Sequence, residues 1–492
     1  MDSRLLLLFG ISFLASTTLY LLSSKRKRNL ILERLHLRHR RTSGASTPPR
    51  SFAPEKDSSN IAGAEYLEVF PPSRRFTLET VAPELFRKNP KPSTLDAASE
   101  EKGRKSVPID VAFEHADPKA YTPCEFSAEE IKALGDFPDY ATLSGVPLPK
   151  PYPEFDIKKA LPRPYRPFRW AYHQTMSISK METDWWLELE NTYIQRIKQR
   201  QELFAEHGKG VLDMLPGSEL ACKELMEMCL QFLCARYPQY FKLDVENMLF
   251  HNSILGTVSD LKATPSLEVI LNNVPEDFGI TLRDTETGYY KFRAGVICSA
   301  LGWNIASKIG MTLPEIHKPI PDYKEKMQFS MDRYFAKKPT DRCIQRGSWG
   351  LEVDQPLYMP PGSPHEALRA TQIPDLKPSQ CHLRVDWQTL RRLPLSGAIV
   401  FNFKALFTPI ESFRDEPYIP SLLLKICREG KRSLMEYKNT WHVEHVVLPE
   451  LEKMDRDQVE RGLVEKGWVP HTLDASPFFP GWEEKWHRNQ GY

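Results

Sequence analysis

The sequence predicts an α+β fold, an antiparallel sheet with flanking helices, preceded by a single N-terminal transmembrane helix. Three observations lead there. First, strand-like runs crowd the second half: LEVILNN, GITLRD, YYKFRAGVIC, SWGLEVD, CHLRVDWQTL and GAIVFNFKALF. They lack the regular strand–helix alternation that a parallel doubly wound sheet requires. Second, two amphipathic helices precede them, one from Thr183 to about Glu206 and one opening at Ser218 and stopped by Pro238. Third, Leu5 to Leu22 is an uncharged apolar run, just long enough for a bilayer core of roughly 30 Å.

Composition narrows the class. The 492 residues are enough for two or three average domains, or for one large domain with extensions. Lys and Arg number 66 against 64 Asp and Glu, so no global field argues for nucleic acid as a partner. The 41 prolines against 24 glycines indicate a globular core diluted by irregular segments. The eight cysteines form no CxxC pair and no zinc-knuckle spacing, which fits a reducing compartment better than a disulfide scaffold.

In chain order, residues 1–24 read as a transmembrane anchor and 25–120 as a basic and low-complexity tether. Lys25-Arg26-Lys27-Arg28 follows the apolar run, so the positive-inside rule puts the bulk of the chain in the cytosol. The localisation expected is a single-pass protein of the endoplasmic reticulum or another organelle surface, with the membrane as partner. From Thr42 to Pro118 the chain is rich in Ser, Pro, Lys and Glu, and only Tyr66 to Phe76 is sticky enough to dock on a folded part. Residues 121–440 form the folded domain and 441–492 a C-terminal extension. Within the first helix Trp186, Leu189, Tyr193, Ile197 and Phe204 share one face, as a core stripe does.

The stretch from Tyr289 to Tyr334 organises the rest. It reads as a buried strand after the turn Asp284–Gly288, a short helix, a capped turn, and a proline-punctuated exit into another helix. Thr312-Leu313-Pro314-Glu315 has capping-box spacing, and Pro319 and Pro321 forbid continuation beyond His317. A histidine fixed on both sides suits a metal ligand, though spacing alone favours a ring that packs and bonds a nearby carbonyl.

P-loop, dinucleotide GxGxxG, HExxH and GxSxG motifs are absent. His442 and His445 are spaced to share a helix face but stand alone. Cys298 lies in a strand-like segment one residue short of a thiolate–haem loop and reads as a small buried hydrophobe. Arg384, Gln388, Arg391 and Arg392 cluster before a hydrophobic strand, where guanidinium groups suit carboxylate pairing or surface salt bridges.

Several segments together resemble the catalytic (alpha) subunit of the haem-dependent oxidative N-demethylases and its relatives. They are PFRWAYHQTMSIS, the DWWLELENTYIQRIKQRQELF helix, the LPGSE turn, AGVICSALGWNIASKIG, EIHKPIPDYKEKM with SMDRYF, and LRVDWQTLRRLPLSGAIVF, in the family's order over roughly residues 160–440. The resemblance implies a haem b protein with a PAS-like fold, acting as a monooxygenase-like oxidoreductase. Its small-molecule substrate would be oxidised with O₂ and with NADPH-derived electrons from a separate flavin or iron–sulfur reductase. It implies His317 as the axial iron ligand, Arg384, Gln388 and Arg391 at the propionates or distal pocket, and Tyr172, His173 and Trp349 on the distal side. No flavin or iron–sulfur motif lies in this chain, so electrons must come from a partner. A haem-based PAS sensor and a haem-free binding scaffold are the alternatives.

Overall fold

The β-branched and aromatic runs of the second half do assemble into one antiparallel sheet, in a computed structural model that describes residues 66–88, 105–173 and 175–491. Its strands are β1 (Ser179–Lys180), β2 (Leu212–Met214), β6 (Asp277–Arg283), β7 (Tyr290–Val296), β8 (Ile344–Val353), β9 (Cys381–Arg392) and β10 (Ile399–Pro409). Their order across the sheet is β1-β8-β9-β10-β6-β7-β2, every pair antiparallel. A smaller sheet holds β3 (Phe241–Asp244), β4 (Leu249–Asn252) and β5 (Thr257–Asp260).

Register decides what each face carries, because residues paired across an antiparallel ladder point the same way. Ile344, Arg346 and Ser348 pair with Leu390, Gln388 and Asp386, which pair with Phe401, Phe403 and Ala405. Together with Tyr290 and Phe292 of β7 these make the front face. The back face carries Trp349, Leu351, Val385, Trp387, Val400, Phe278 and Ile280, all buried.

Two layers of helix cover the back. Helices α1 (Tyr193–His207), α2 (Glu219–Arg236) and α3 (Ser266–Asn273) close a core with Phe278, Ile280, Ala294, Val296 and Val400. Further along the chain, helices α6 (Ile419–Glu429) and α8 (Trp441–Glu460) close a second core with Trp349, Leu351, Val385 and Trp387. Each large side chain so buried contributes roughly 1.5–3 kcal/mol. On the front lie α4 (Leu313–His317) and α5 (Phe329–Lys337), while α7 (Arg432–Lys438) reaches the β8 edge through Lys438 and Ser348. That leaves part of the front face half-exposed.

Three elements depart from expectation. LEVILNN is the helix α3, because Leu267, Ile270 and Leu271 recur at helical spacing and the Pro265 carbonyl accepts from Glu268 and Val269. The first helix begins at Tyr193 rather than Thr183: Trp186 to Glu190 are all buried, which a helix with one wet face cannot achieve. Their backbone bonds run elsewhere, from Glu188 N to Glu276 and from Asn191 N to Ala160. No helix forms between Leu301 and Gly310, where Gly302 N, Ile305 N and Gly310 N instead reach Met359, Gly210 and Phe292.

The expected transmembrane helix and single-pass membrane localisation are corrected. Among the described residues no helix is long and apolar enough to cross a membrane. The run Leu5 to Leu22 and the basic run after it lie outside the described residues. Residues 66–88 do pack on the folded part, with the Arg283 guanidinium donating to the carbonyls of Tyr66 (2.9 Å) and Leu67 (2.7 Å).

Candidate functional site

The front face acquires His317 through a chain reversal that the sequence enforces. After β7 the chain loops back to that strand's outer edge, where Phe292 N donates to Met311 O and Gly310 N to Phe292 O. Thr312 then opens α4, its N–H and hydroxyl both 2.7 Å from a Glu315 carboxylate oxygen. Leu313 packs with Tyr290 and Ile399, and Ile316 with Phe292 and Phe401, pinning α4 across the sheet. Pro319 and Pro321 end it at His317.

The imidazole is oriented by two contacts. Its Nδ1 lies 2.7 Å from the Leu313 carbonyl, and its ring stacks on Tyr323 at 5.1 Å and 11°. A carbonyl only accepts, so Nδ1 carries the proton and Nε2 keeps its lone pair. Among the described residues no group takes that lone pair. Burial pushes the pKa down to about 4, with Lys308 and Arg346 adding to the effect against the Leu313 bond. His317 is thus a neutral base with a free Nε2, the form a transition metal binds.

Around it stand three cations. Among the described residues the Arg346 guanidinium makes no hydrogen bond or ion pair, its Nε is buried and unpartnered, and burial lowers its pKa. Lys308 lies over the Trp303 ring at 4.5 Å, and burial lowers it to about 8. Lys438 donates to Ser348 Oγ at 3.0 Å, and burial, with Arg346, lowers it to about 7 against the pull of the front-face Asp386 carboxylate. Between these cations the surface is apolar, with Met176, Ile344, Phe401 and Phe403. The combination suits a partner that is mostly apolar and carries negative charge at its edge.

The other expected residues divide. Gln388 faces front beside Arg346, half-exposed, with no bond to its amide. Tyr172 lies near Arg346, its pKa raised by burial, with its ring 5.8 Å from that of Trp349. Trp349 itself points to the back core, 4% exposed. His173 is exposed, its Nδ1 2.9 Å from Ala171 O. Arg384 faces front but is fully engaged, with Asp386 and with the carbonyls of Pro356, Leu357 and Ser299. Arg391 faces back, over the Trp186 ring at 4.0 Å. Alternation thus splits the arginine cluster between two faces. Arg346, Lys308 and Lys438 were missed because each is a lone cation in its own segment, and only the fold brings them together.

The other histidine candidates each have one ring nitrogen on a carbonyl: His442 Nδ1 lies 2.8 Å from Asn439 O, and His445 Nε2 lies 2.9 Å from Ile373 O while its Nδ1 is buried without a partner. The Cys298 thiol is pushed up to about 12 by burial, so it is not a thiolate ligand. Among the described residues no group of three or more His, Cys, Asp or Glu could hold a metal ion.

The family described as haem-dependent oxidative N-demethylase, alpha subunit-like, matches residues 177–448, more than half of the chain. That span contains β6 to β10, α4 and every front-face residue discussed above except Met176 and Tyr172. The chain belongs to the haem-dependent oxidative N-demethylase, alpha subunit-like family, a family named for haem-dependent oxidoreductases.

Proposed function

We propose that the chain binds haem b against the front face of the sheet, with Nε2 of His317 as the protein ligand to iron. In this reading the holoprotein oxidises a small amine-bearing molecule. The observation that carries the proposal is the pairing of a neutral, oriented imidazole with the Arg346 guanidinium, which has no counter-ion among the described residues. The haem group fits this setting. Its macrocycle is apolar and matches Met176, Ile344, Phe401 and Phe403, and its two propionates match Arg346 and Lys308 or Lys438.

Haem supplies the redox chemistry: an N-methyl amine, O₂, two electrons and two protons yield the demethylated amine, formaldehyde and water. The protein's own contributions are positional and electrostatic. The Leu313 carbonyl holds the Nδ1 proton and so fixes the tautomer and the ring plane. Tyr323 keeps the imidazole from rotating. The free Gln388 amide offers a hydrogen to negative charge developing on a reacting oxygen. Electrons enter from a separate reductase carrying flavin or an iron–sulfur cluster and oxidising NADPH.

Reconstitution of the full chain with haem, followed by incubation with NADPH, a reductase and secondary or tertiary methylamines, tests the reading. Formaldehyde formed in proportion to NADPH consumed supports it. A holoprotein that binds O₂ reversibly but never turns over would replace it with a sensor, and a chain that takes up no haem would leave a scaffold.

A further inference from the structure

The back face holds a second polar feature that the haem reading does not use. Arg391 is 6% exposed, and among the described residues no hydrogen bond or ion pair engages its guanidinium, whose Nε is buried and unpartnered. Its planar group lies over Trp186, centroid 4.0 Å away, and the Trp186 indole nitrogen is also buried without an acceptor. A cation buried without an acceptor is costly, and the aromatic face offsets only part of that cost. Both side chains line one cavity of about 30 Å³. Its other walls include Met181, Phe232, Pro147 and Leu148, and the last of these is 49% exposed at the surface.

We propose that this cavity binds a small carboxylate. The two oxygens take the N–H fork of Arg391, and one of them also accepts from the Trp186 indole. Three arguments select this ligand. The unmatched charge is positive, and the two buried unpartnered atoms of its lining, Arg391 Nε and Trp186 Nε1, are both donors, so the occupant is an anion and an acceptor. A guanidinium fork matches two coplanar oxygens better than a spherical ion. The cavity has room for about two water molecules, the size of a carboxylate head, and its apolar walls suit a short alkyl group rather than a phosphate. The site faces the opposite side of β9 from Gln388 and needs no haem.

The test uses the full-length chain, without added haem, and acetate as the probe. Calorimetry and thermal melting are run with sodium acetate against sodium chloride at equal ionic strength, for wild type, Arg391→Met and Trp186→Phe. The expected result is saturable acetate binding with a melting temperature that rises and levels off. Trp186→Phe keeps the ring and the cation and should weaken binding about fivefold by removing one donor. Arg391→Met should weaken it at least tenfold. Should Arg391→Met fold poorly, the Trp186→Phe ratio still decides. No saturable acetate binding, equal binding by both variants, or chloride acting as well as acetate would each overturn the proposal.

Discussion

Arg391 and Arg392 are adjacent in sequence and opposite in consequence. Arg392 is fully buried on the front side, with Nε 2.6 Å from Lys338 O and Nη1 at 2.7 Å from Tyr290 Oη and 2.6 Å from Gly397 O. Its Nη2 also donates to Phe335 O. These bonds tie the end of α5, the turn before β10 and β7 to one guanidinium. Replacing Arg392 by Met strands three carbonyls in a dry core, at about 1–3 kcal/mol each, while relieving the cost of burying a charge. The net loss should be about 3–5 kcal/mol, a large share of a typical stability of roughly 5–15 kcal/mol. Arg391→Met deletes no hydrogen bond. It gives up the Trp186 contact, roughly 0.5–2 kcal/mol, and removes an uncompensated cation, so stability should change by less than about 1 kcal/mol. Urea unfolding of the two variants beside wild type, without haem and at low anion concentration, reads both numbers. Equal losses in the two variants, or an Arg392→Met loss below about 1 kcal/mol, would refute the assignment of faces and partners.

Further predictions concern protons, packing and the cofactor. Burial raises Glu276 from 4.5 to about 7, so between those values the folded state binds the extra proton. Wild-type stability relative to Glu276→Gln should therefore fall as pH rises through that window, by about 3 kcal/mol, and stay flat above it, as urea midpoints would show. At Gly347 an added methyl would sit 2.6 Å from the Tyr165 ring and 2.9 Å from Pro167, so Gly347→Ala should cost about 1–3 kcal/mol in the same assay. Arg346→Met should leave the haem-free protein as stable or more so, because its guanidinium has no partner, yet weaken haem binding at least tenfold. An unchanged haem affinity in that variant would detach Arg346 from the cofactor.

Much of the architecture was legible because local signals and tertiary needs agreed. The capping box at Thr312, the prolines after His317 and the turn at Asp284–Gly288 each have one low-energy solution, and the chain adopts it. Where two signals competed, burial decided. Trp186 to Glu190 had helical spacing but needed covering on every side, and LEVILNN had strand composition but helical recurrence at Leu267, Ile270 and Leu271. Of the proposed site, His317 and Gln388 were legible in the sequence. Gln388, Arg391 and Arg392 look like one basic cluster in the sequence, yet strand alternation sends Arg391 to the other face. Lys308, Arg346 and Lys438 are brought near one another by a loop, a strand and a helix end, so no linear motif reports them.

The central claim is that Nε2 of His317 is the protein ligand to haem iron. The direct measurement is the absorption spectrum of the haem-reconstituted full chain beside His317→Ala, with and without added imidazole. The account predicts a Soret band in wild type that is shifted or lost in the variant and restored by imidazole filling the vacated space. A variant whose Soret band matches that of wild type would contradict the account, because the iron would then be held elsewhere.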